Sequence, residues 1–549
     1  MAGTIIPQAP PEIPPETPVS LAREGARAPG VPAEAGRQST VSTAIVMLCT
    51  AGSRLFGYVR QALFNYYFGG SGAADAINAV FNIPNNLRKL FAEGAFSSAF
   101  IPVLSTTLAE DASGIRPREL VRTLVALQLL VLVPLVALSL AFPRAIVTGL
   151  LSFSDPDKIA VGVQLMRWMF NYILLVSLSA LVMAVLNTHG KFTVPALSPL
   201  MFTLATVLSL LFFHGRLGVL AMGVGVFVGG ILQLACQLPA LRGQGYRLVP
   251  SFRLANADFG RTARLWLPYL ASASIVTINQ FFAQYFASGL EDGSVSAITN
   301  SVMFLQIPIG IFTASVATVT FPAMSRQAAR GQTEALRDTV AYGVKFLLVL
   351  LVPSSILLCL FGREIIAAAV QRGRFTPQAT LMAARALTGY AAGLVCMGIY
   401  TFLQKLFNSY KSFVVPLASA GIIAIVDIIL SLVLKETRLR VSGLAYANTI
   451  AFTVGMVLLA VLARRRLGPL GARSIAGTFL KAVVGSLPMA VLLEAFLWWK
   501  PDLWVHGGSL RATALIAAAA AAGVGLTIAA YVALRVPYLT DLLKRRRLS

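Results

Sequence analysis

The sequence predicts an all-α polytopic membrane protein of about 14 transmembrane helices, arranged as two parallel six-helix lobes around a central cationic cavity plus two C-terminal helices. Three observations predict it. The 549 residues are 57% hydrophobic and only 12% charged, whereas about a quarter of a soluble domain is charged. From Val41 onward, apolar stretches of about 20 residues or more, long enough to cross a bilayer, alternate with short polar breaks. Short motifs also recur at an offset of about 220 residues. The 45 Lys and Arg against 22 Asp and Glu leave a net charge of +23, the balance expected when cations gather in cytoplasmic loops. A soluble enzyme, a secreted disulfide scaffold and a disordered chain are excluded. Nucleic-acid binding would need a charged outer face, for which too few charges exist.

Residues 1–40 hold eight prolines and no apolar run, so they predict a disordered cytoplasmic arm rather than a signal peptide. The N-lobe, 41–241, is expected to supply six spans: 41–68, 73–106, 120–143, 157–188, 192–213 and 217–241. The C-lobe, 262–465, is expected to supply 262–288, 295–324, 338–361, 378–409, 413–434 and 442–463. A pair at 474–499 and 510–538 fills the segment 474–540, and 541–549 is a basic tail. Several spans exceed one bilayer crossing, which implies tilt. The breaks from Arg242 to Arg264, at Arg326/Arg330/Arg337 and at Arg464/Arg465/Arg466/Arg473 are rich in arginine, as is the tail from Lys544 to Arg547. They predict cytoplasmic N- and C-termini. Arg363/Arg372/Arg374 and the stretch Lys435 to Arg440 dissent.

The repeat rests on four matches. "LNTHGKFTVPAL" at 186–197 parallels "FNSYKSFVVPLA" at 407–418, with Asn187 and Asn408 221 apart. Pro102 and Pro322 are 220 apart, while Phe68 and Phe286, and Arg167 and Arg385, are each 218 apart. Two lobes of six spans share one orientation because six is even, and parallel repeats enclose a site at their interface.

Cys49, Cys236, Cys359 and Cys396 are scattered through apolar runs, and His189, His214 and His506 have no ligand spacing. No Walker A loop, dinucleotide fingerprint or nucleophile motif occurs. The informative residues are charges inside the first two spans: Arg54 and Arg60, then Arg88, Lys89 and Glu93. Each arginine at mid-bilayer costs about 2.5–3.5 kcal/mol on insertion scales, so three together point to a functional site. Arg54 and Arg60 stand about 120° apart on a helix, which allows both to border a wide cavity. Arginine holds phosphate or carboxylate bidentately, so the cavity suits an anion. Pro84, Asn85 and Gly94 are candidates for gating or packing. Alternatives stay open: Arg60 snorkelling from a helix end, Lys89–Glu93 as an ordinary i, i+4 pair, Asp75 as a helix N-terminal carboxylate. Lys345, Arg167 and Arg385 are expected to tie lobes or interfaces.

The segment "SRLFGYVRQALFNYYFGGSGAADAINAVFNIPNNLRKLFAEGAFSSAFIPVLS" resembles the N-terminal signature of the MurJ (MviN) lipid II flippases of the MOP exporter superfamily. "LNTHGKFTVPALSP" and "GRFTPQAT" are similar to that family too, and the resemblance spans about residues 41–465. It implies transport, without enzymatic chemistry, of the undecaprenyl-diphosphate-linked peptidoglycan precursor lipid II from the inner to the outer leaflet of the bacterial cytoplasmic membrane. It also implies that Arg54, Arg60 and Arg88 with Asp75 and Glu93 form the substrate site, with lipid II and membrane lipids as partners, cell-wall synthesis proteins as candidate partners and no nucleic acid. Gln61 stands where the family commonly has an acid, and Met303 where it commonly has an arginine. No cofactor is implied beyond a candidate monovalent cation such as sodium, held by Asp427 with Asn448 and Thr449. The alternatives are another MOP-superfamily transporter, of lipid-linked oligosaccharides or of drugs and cations, and a non-transporting cell-wall scaffold.

Overall fold

A computed structural model describes residues 49, 52–53, 55–91, 95–253, 256–410, 412 and 414–536. The arm 1–40, the tail 541–549, and Arg54, Glu93 and Gly94 lie outside the described residues. The described residues hold helices and no strand.

The N-lobe contains α1 (55–68), α2 (Gly72–Phe91), α3 (Ala95–Glu110), α4 (Ile115–Ala141), α5 (Pro143–Leu150), α6 (Pro156–Met169), α7 (Tyr172–Thr188), α8 (Thr193–Leu217), α9 (Leu220–Ala235) and α10 (Leu238–Gly243). The C-lobe contains α11 (Ala257–Ser288), α12 (Ser294–Pro308), α13 (Ala314–Ala329), α14 (Thr333–Val370), α15 (Pro377–Ala392), α16 (Leu394–Ser409), α17 (Val414–Leu434) and α18 (Val441–Leu467). The last two are α19 (Ala472–Trp499) and α20 (Leu510–Ala533).

Helix starts recur with the offset seen in the motifs: Gly72 and Ser294 are 222 apart, Pro156 and Pro377 221, and Thr193 and Val414 221. The recurrence reaches the caps. The Asp155 side chain accepts from the Asp157 N–H ahead of Pro156, and the Thr376 hydroxyl accepts from the Ala379 N–H ahead of Pro377. Both are side-chain caps followed by a proline that needs no donor. Both lobes also interrupt the same span. The break falls between α6 and α7 in one, and at Gly393, where α15 and α16 meet at 49°, in the other. A side chain at Gly393 would lie 2.5 Å from Thr449 Oγ1, so glycine is what lets α18 approach the bend.

Among the described residues, ten helical segments are long and apolar enough to cross a membrane, and α15–α16 makes eleven if taken as one bent span. The three other expected spans fall on 55–68, on α2–α3 and on α11. The fourteen expected therefore exceeds the ten or eleven that meet the apolar criterion. Of the first expected span only 55–68 is described as continuous helix, too short to meet the criterion; for α2 the physical reason is composition, since it carries Asp75, Asn78, Asn82, Asn85, Asn86, Arg88 and Lys89, polar residues that no lipid-facing helix needs.

Packing follows the lobes. One core gathers Phe64, Ile77, Val80, Met166 and Ile173 in the N-lobe, and a larger one gathers Leu347, Leu351, Leu387, Phe402 and Phe407 in the C-lobe. The C-terminal pair docks on α14 through Phe361, Met489, Leu493 and Ile516. Tyr531 of α20 donates to the Val349 and Ala482 carbonyls, both at 3.2 Å, tying α20 to α14 and α19.

Candidate functional site

At 3.6 residues per turn, positions 81, 85 and 88 of α2 share one stripe, and 82, 86 and 89 share another about 100° round the helix. Both stripes are polar, and each lines a different cavity. Phe81, Asn85 and Arg88 border a cavity of 520 Å³ inside the N-lobe, with Arg60 of α1, Tyr172 and Asn187 of α7, Phe202 of α8 and Gln233 of α9. Asn82, Asn86 and Lys89 border a cavity of 440 Å³ against the C-lobe, with Asn279, Gln280, Gln284, Gln306 and Asn448. A single helix thus divides an arginine-lined compartment from an amide-lined one.

Arg60 and Arg88 meet in the first cavity. The Arg60 guanidinium lies 5.9 Å from the Phe81 ring centre and 6.0 Å from that of Phe202, a cation–π seat between two rings. The Arg88 Nε donates to Asn85 Oδ1 at 3.2 Å, so Asn85 orients an arginine. Pro84, buried within α2, leaves the N–H-free position one turn before Arg88. Lys89 turns to the other side, where its Nζ donates to Asn86 Oδ1 at 3.0 Å and Gln280 Oε1 at 2.9 Å.

Asp75 does not line either cavity. It is 1% exposed, at the far end of α2, and its two carboxylate oxygens accept from the Gly293 N–H at 2.8 Å and the Ser296 N–H at 2.9 Å. Gly293, at φ +93°, offers α12 no side-chain cap of its own, so an N-lobe carboxylate caps a C-lobe helix. Buried Lys158 reinforces it, with its Nζ 3.7 Å from Asp75 and 2.7 Å from Asp292. The Arg374 N–H donates to the Tyr66 carbonyl at 2.9 Å at the same end. We call this junction the latch.

From the latch inward, a seam of amides joins the lobes. Asn78 donates to Ser296 Oγ at 3.2 Å, Asn65 to Asn300 Oδ1 at 2.7 Å, and Asn82 to Gln284 Oε1 at 2.9 Å. Gln61 belongs to this seam through Asn65, and Met303 packs against the C-lobe core. The stretches 363–374, which begins in the last turns of α14, and 435–440, whose cations ran against the charge rule, lie at the latch end. Arg363 pairs with Glu364 at 2.6 Å and Arg440 with Glu291 at 3.1 Å, so several of those cations carry a counter-ion.

Asp427 and Asn448 do come together: the Asn448 amide donates to Asp427 Oδ2 at 2.8 Å, and Asn279 of α11 donates to the same oxygen at 2.9 Å. Thr449 does not join them, because its hydroxyl donates to the Gly389 carbonyl at 2.7 Å. As arranged, the carboxylate is satisfied by amide N–H groups. Lys345, Arg167 and Arg385 make no ion pair or side-chain hydrogen bond among the described residues, so the tie expected of them is absent there.

The sequence singled out the charges of α2 and, among its amides, Asn85 alone, as a gating or packing candidate. Asn78, Asn82, Asn85 and Asn86 recur at helical spacing in an otherwise apolar segment, and that periodicity was the legible signal. Lys158 and Asp292 had no such signal, since each is a lone charge near a helix start and nothing along the chain says that the two meet.

Residues 64–514 match the family profile described as "Lipid II flippase MurJ". A probable lipid II flippase MurJ of Borreliella burgdorferi is 31% identical, over 83% of this chain and 90% of its own length. One of Vibrio cholerae is 30% identical over 76% of this chain and 81% of its own. Among solved structures, a lipid II flippase MurJ in an inward closed conformation superposes with TM-score 0.74 at 24% identity, over 91% of this chain and 99% of that one. An inward-facing MATE-family multidrug transporter of the MOP superfamily gives 0.66 at 13% identity, over 76% and 95%. At those identities the two structures speak to the fold alone.

Proposed function

This chain belongs to the MurJ lipid II flippase family, and we propose that it carries lipid II from the inner to the outer leaflet of the bacterial cytoplasmic membrane by alternating access. It is an integral membrane transporter, not an enzyme. The observation that carries the mechanism is the convergence of Arg60 and Arg88 on one 520 Å³ cavity. Two guanidiniums in a confined space suit a diphosphate, because each presents a planar fork of donors to phosphate oxygens. The prenyl chain stays in lipid, where its transfer would otherwise be costly.

The latch end faces outward in this reading, and the arginine cavity fills from the cytoplasmic side. Arg88 and Asp75 lie 13 residues apart on α2, about 20 Å along one rigid helix. A headgroup drawn onto Arg88 therefore pulls on the element whose other end closes the latch. Rocking of the lobes then exchanges the latch and its amide seam for an outward opening. A cytoplasm-negative potential supplies direction, favouring anion exit by about 2.3 kcal/mol per charge per 100 mV. A monovalent cation is a second candidate drive: rotated amides at Asn279 and Asn448 would turn oxygens toward Asp427, and sodium-dependent flipping would support it.

The test is complementation of a bacterium depleted of its own lipid II flippase, read by surface-exposed lipid II. Arg60→Ala and Arg88→Ala should abolish rescue at normal protein level, and Lys at either position should rescue poorly because the fork is lost. Full rescue by both alanine variants would remove the cavity from the mechanism.

A further inference from the structure

Arg167 of α6 and Arg385 of α15 lie on corresponding helices of the two lobes, 218 residues apart and so within one turn of the 221-residue register of the helix starts, and neither borders a cavity described above. Both side chains are exposed on segments that are membrane-spanning by length and composition. On α6 the exposed positions Ala160, Gln164, Arg167 and Trp168 form one stripe, while Gly162 and Met166 face the protein. On α15, Tyr390 lines the C-lobe cavity, and Arg385, five residues earlier, points about 140° away from it. Both guanidiniums therefore face the bilayer. An arginine there costs about 2.5–3.5 kcal/mol, and among the described residues neither has an anionic or hydrogen-bonding partner to offset that cost. The same expense on corresponding helices of both lobes, within one turn of each other in register, argues for one class of ligand.

The geometry says where that ligand lies. Arg167 is 11 residues from Pro156 and Arg385 is 8 from Pro377, about 16 and 12 Å along their helices. Both helices begin at the latch end, and side chains on a helix lean toward its N-terminus. Each guanidinium thus snorkels toward the leaflet at the latch end, and Trp168, 41% exposed beside Arg167, is the amphipathic residue expected near headgroups. We propose that Arg167 and Arg385 each hold the phosphate of an anionic phospholipid of that leaflet, one on the flank of each lobe. Lipid phosphate meets the fork of the guanidinium and neutralises it, which neither water nor a hydrocarbon tail can do at that depth.

Native mass spectrometry of the full chain, delipidated and titrated with phosphatidylglycerol or with phosphatidylcholine, tests this. Two phosphatidylglycerols should be retained at concentrations where phosphatidylcholine is not. R167Q and R385Q should each lose one, and the double variant both, while R167K and R385K should keep them more weakly. Two phosphatidylglycerols still bound by the double variant, or equal retention of phosphatidylcholine, overturns the proposal. Should the double variant fail to fold, an unchanged lipid count in both single variants overturns it equally.

Discussion

Replacing Asp75 with alanine should open the latch without touching the arginine cavity. The carboxylate gives the Gly293 and Ser296 N–H groups an acceptor at 2.8 and 2.9 Å, in a position 1% exposed. A hydrogen bond to a charged group is worth about 1.5–3 kcal/mol net. Two such bonds at the lower end give about 3 kcal/mol, which corresponds to a population shift of roughly 150-fold. Lys158 keeps Asp292 at 2.7 Å, so its contribution partly survives. Because both bonds run from one lobe to the other, their loss raises the latched state and leaves the unlatched one unchanged. Spin labels at Ser154→Cys and Arg438→Cys, exposed on opposite lobes at the latch end, report the result by pulsed dipolar spectroscopy. Without substrate, the Asp75→Ala protein should gain a longer-distance population, and Asp75→Asn, which keeps one acceptor oxygen, should fall between. If Asp75 acted only on substrate, the substrate-free distances would not move. Superimposable distributions for wild type and Asp75→Ala would refute the latch.

Three further outcomes follow from the same geometry. Gly393→Ala sets a methyl 2.5 Å from Thr449 Oγ1, so α18 must shift at a cost of about 1–3 kcal/mol; a lowered thermal midpoint in detergent is expected, and an unchanged one contradicts the tight approach. Tyr531→Phe removes the one O–H donor shared by the Val349 and Ala482 carbonyls, costing about 1 kcal/mol and loosening α20, which limited proteolysis of the C-terminal pair would detect. His189 sits beyond the end of α7 with its ring 3.1 Å from the Tyr246 hydroxyl, and burial pushes its imidazole down from the usual value. The fold therefore favours the neutral ring: its contribution is complete above the unfolded value of about 6.5 and is lost as pH falls through it. Hydrogen exchange at 244–249 should quicken between pH 7.5 and 5.5, and His189→Gln should flatten that response.

The helical class and the membrane setting were legible because both depend on composition and run length, which need no partner. The offset near 220 was legible for a related reason: equivalent turns and caps, such as Asp155-Pro156 and Thr376-Pro377, are local solutions that recur in the chain itself. Arg60 and Arg88 stood out because charge is rare at such positions. Asp75 was legible as a residue and not as a role. Its own helix offers an N-terminus that would suit it, and nothing along the chain says that its oxygens reach Gly293, 218 residues away.

By itself, then, the sequence determined what the bilayer demands of every segment: helices, their polar breaks, the repeated order and the costly arginines. Tertiary structure decided everything that depends on which helix stands beside which. It separated Arg88 from Lys89, neighbours in sequence, into an arginine-lined and an amide-lined compartment. It turned Asp75 toward the other lobe and left Arg167 and Arg385 exposed on corresponding helices of the two lobes. The reason is angular. Adjacent residues on a helix point about 100° apart, so a side chain's surroundings are set by packing around the axis, which no linear spacing records.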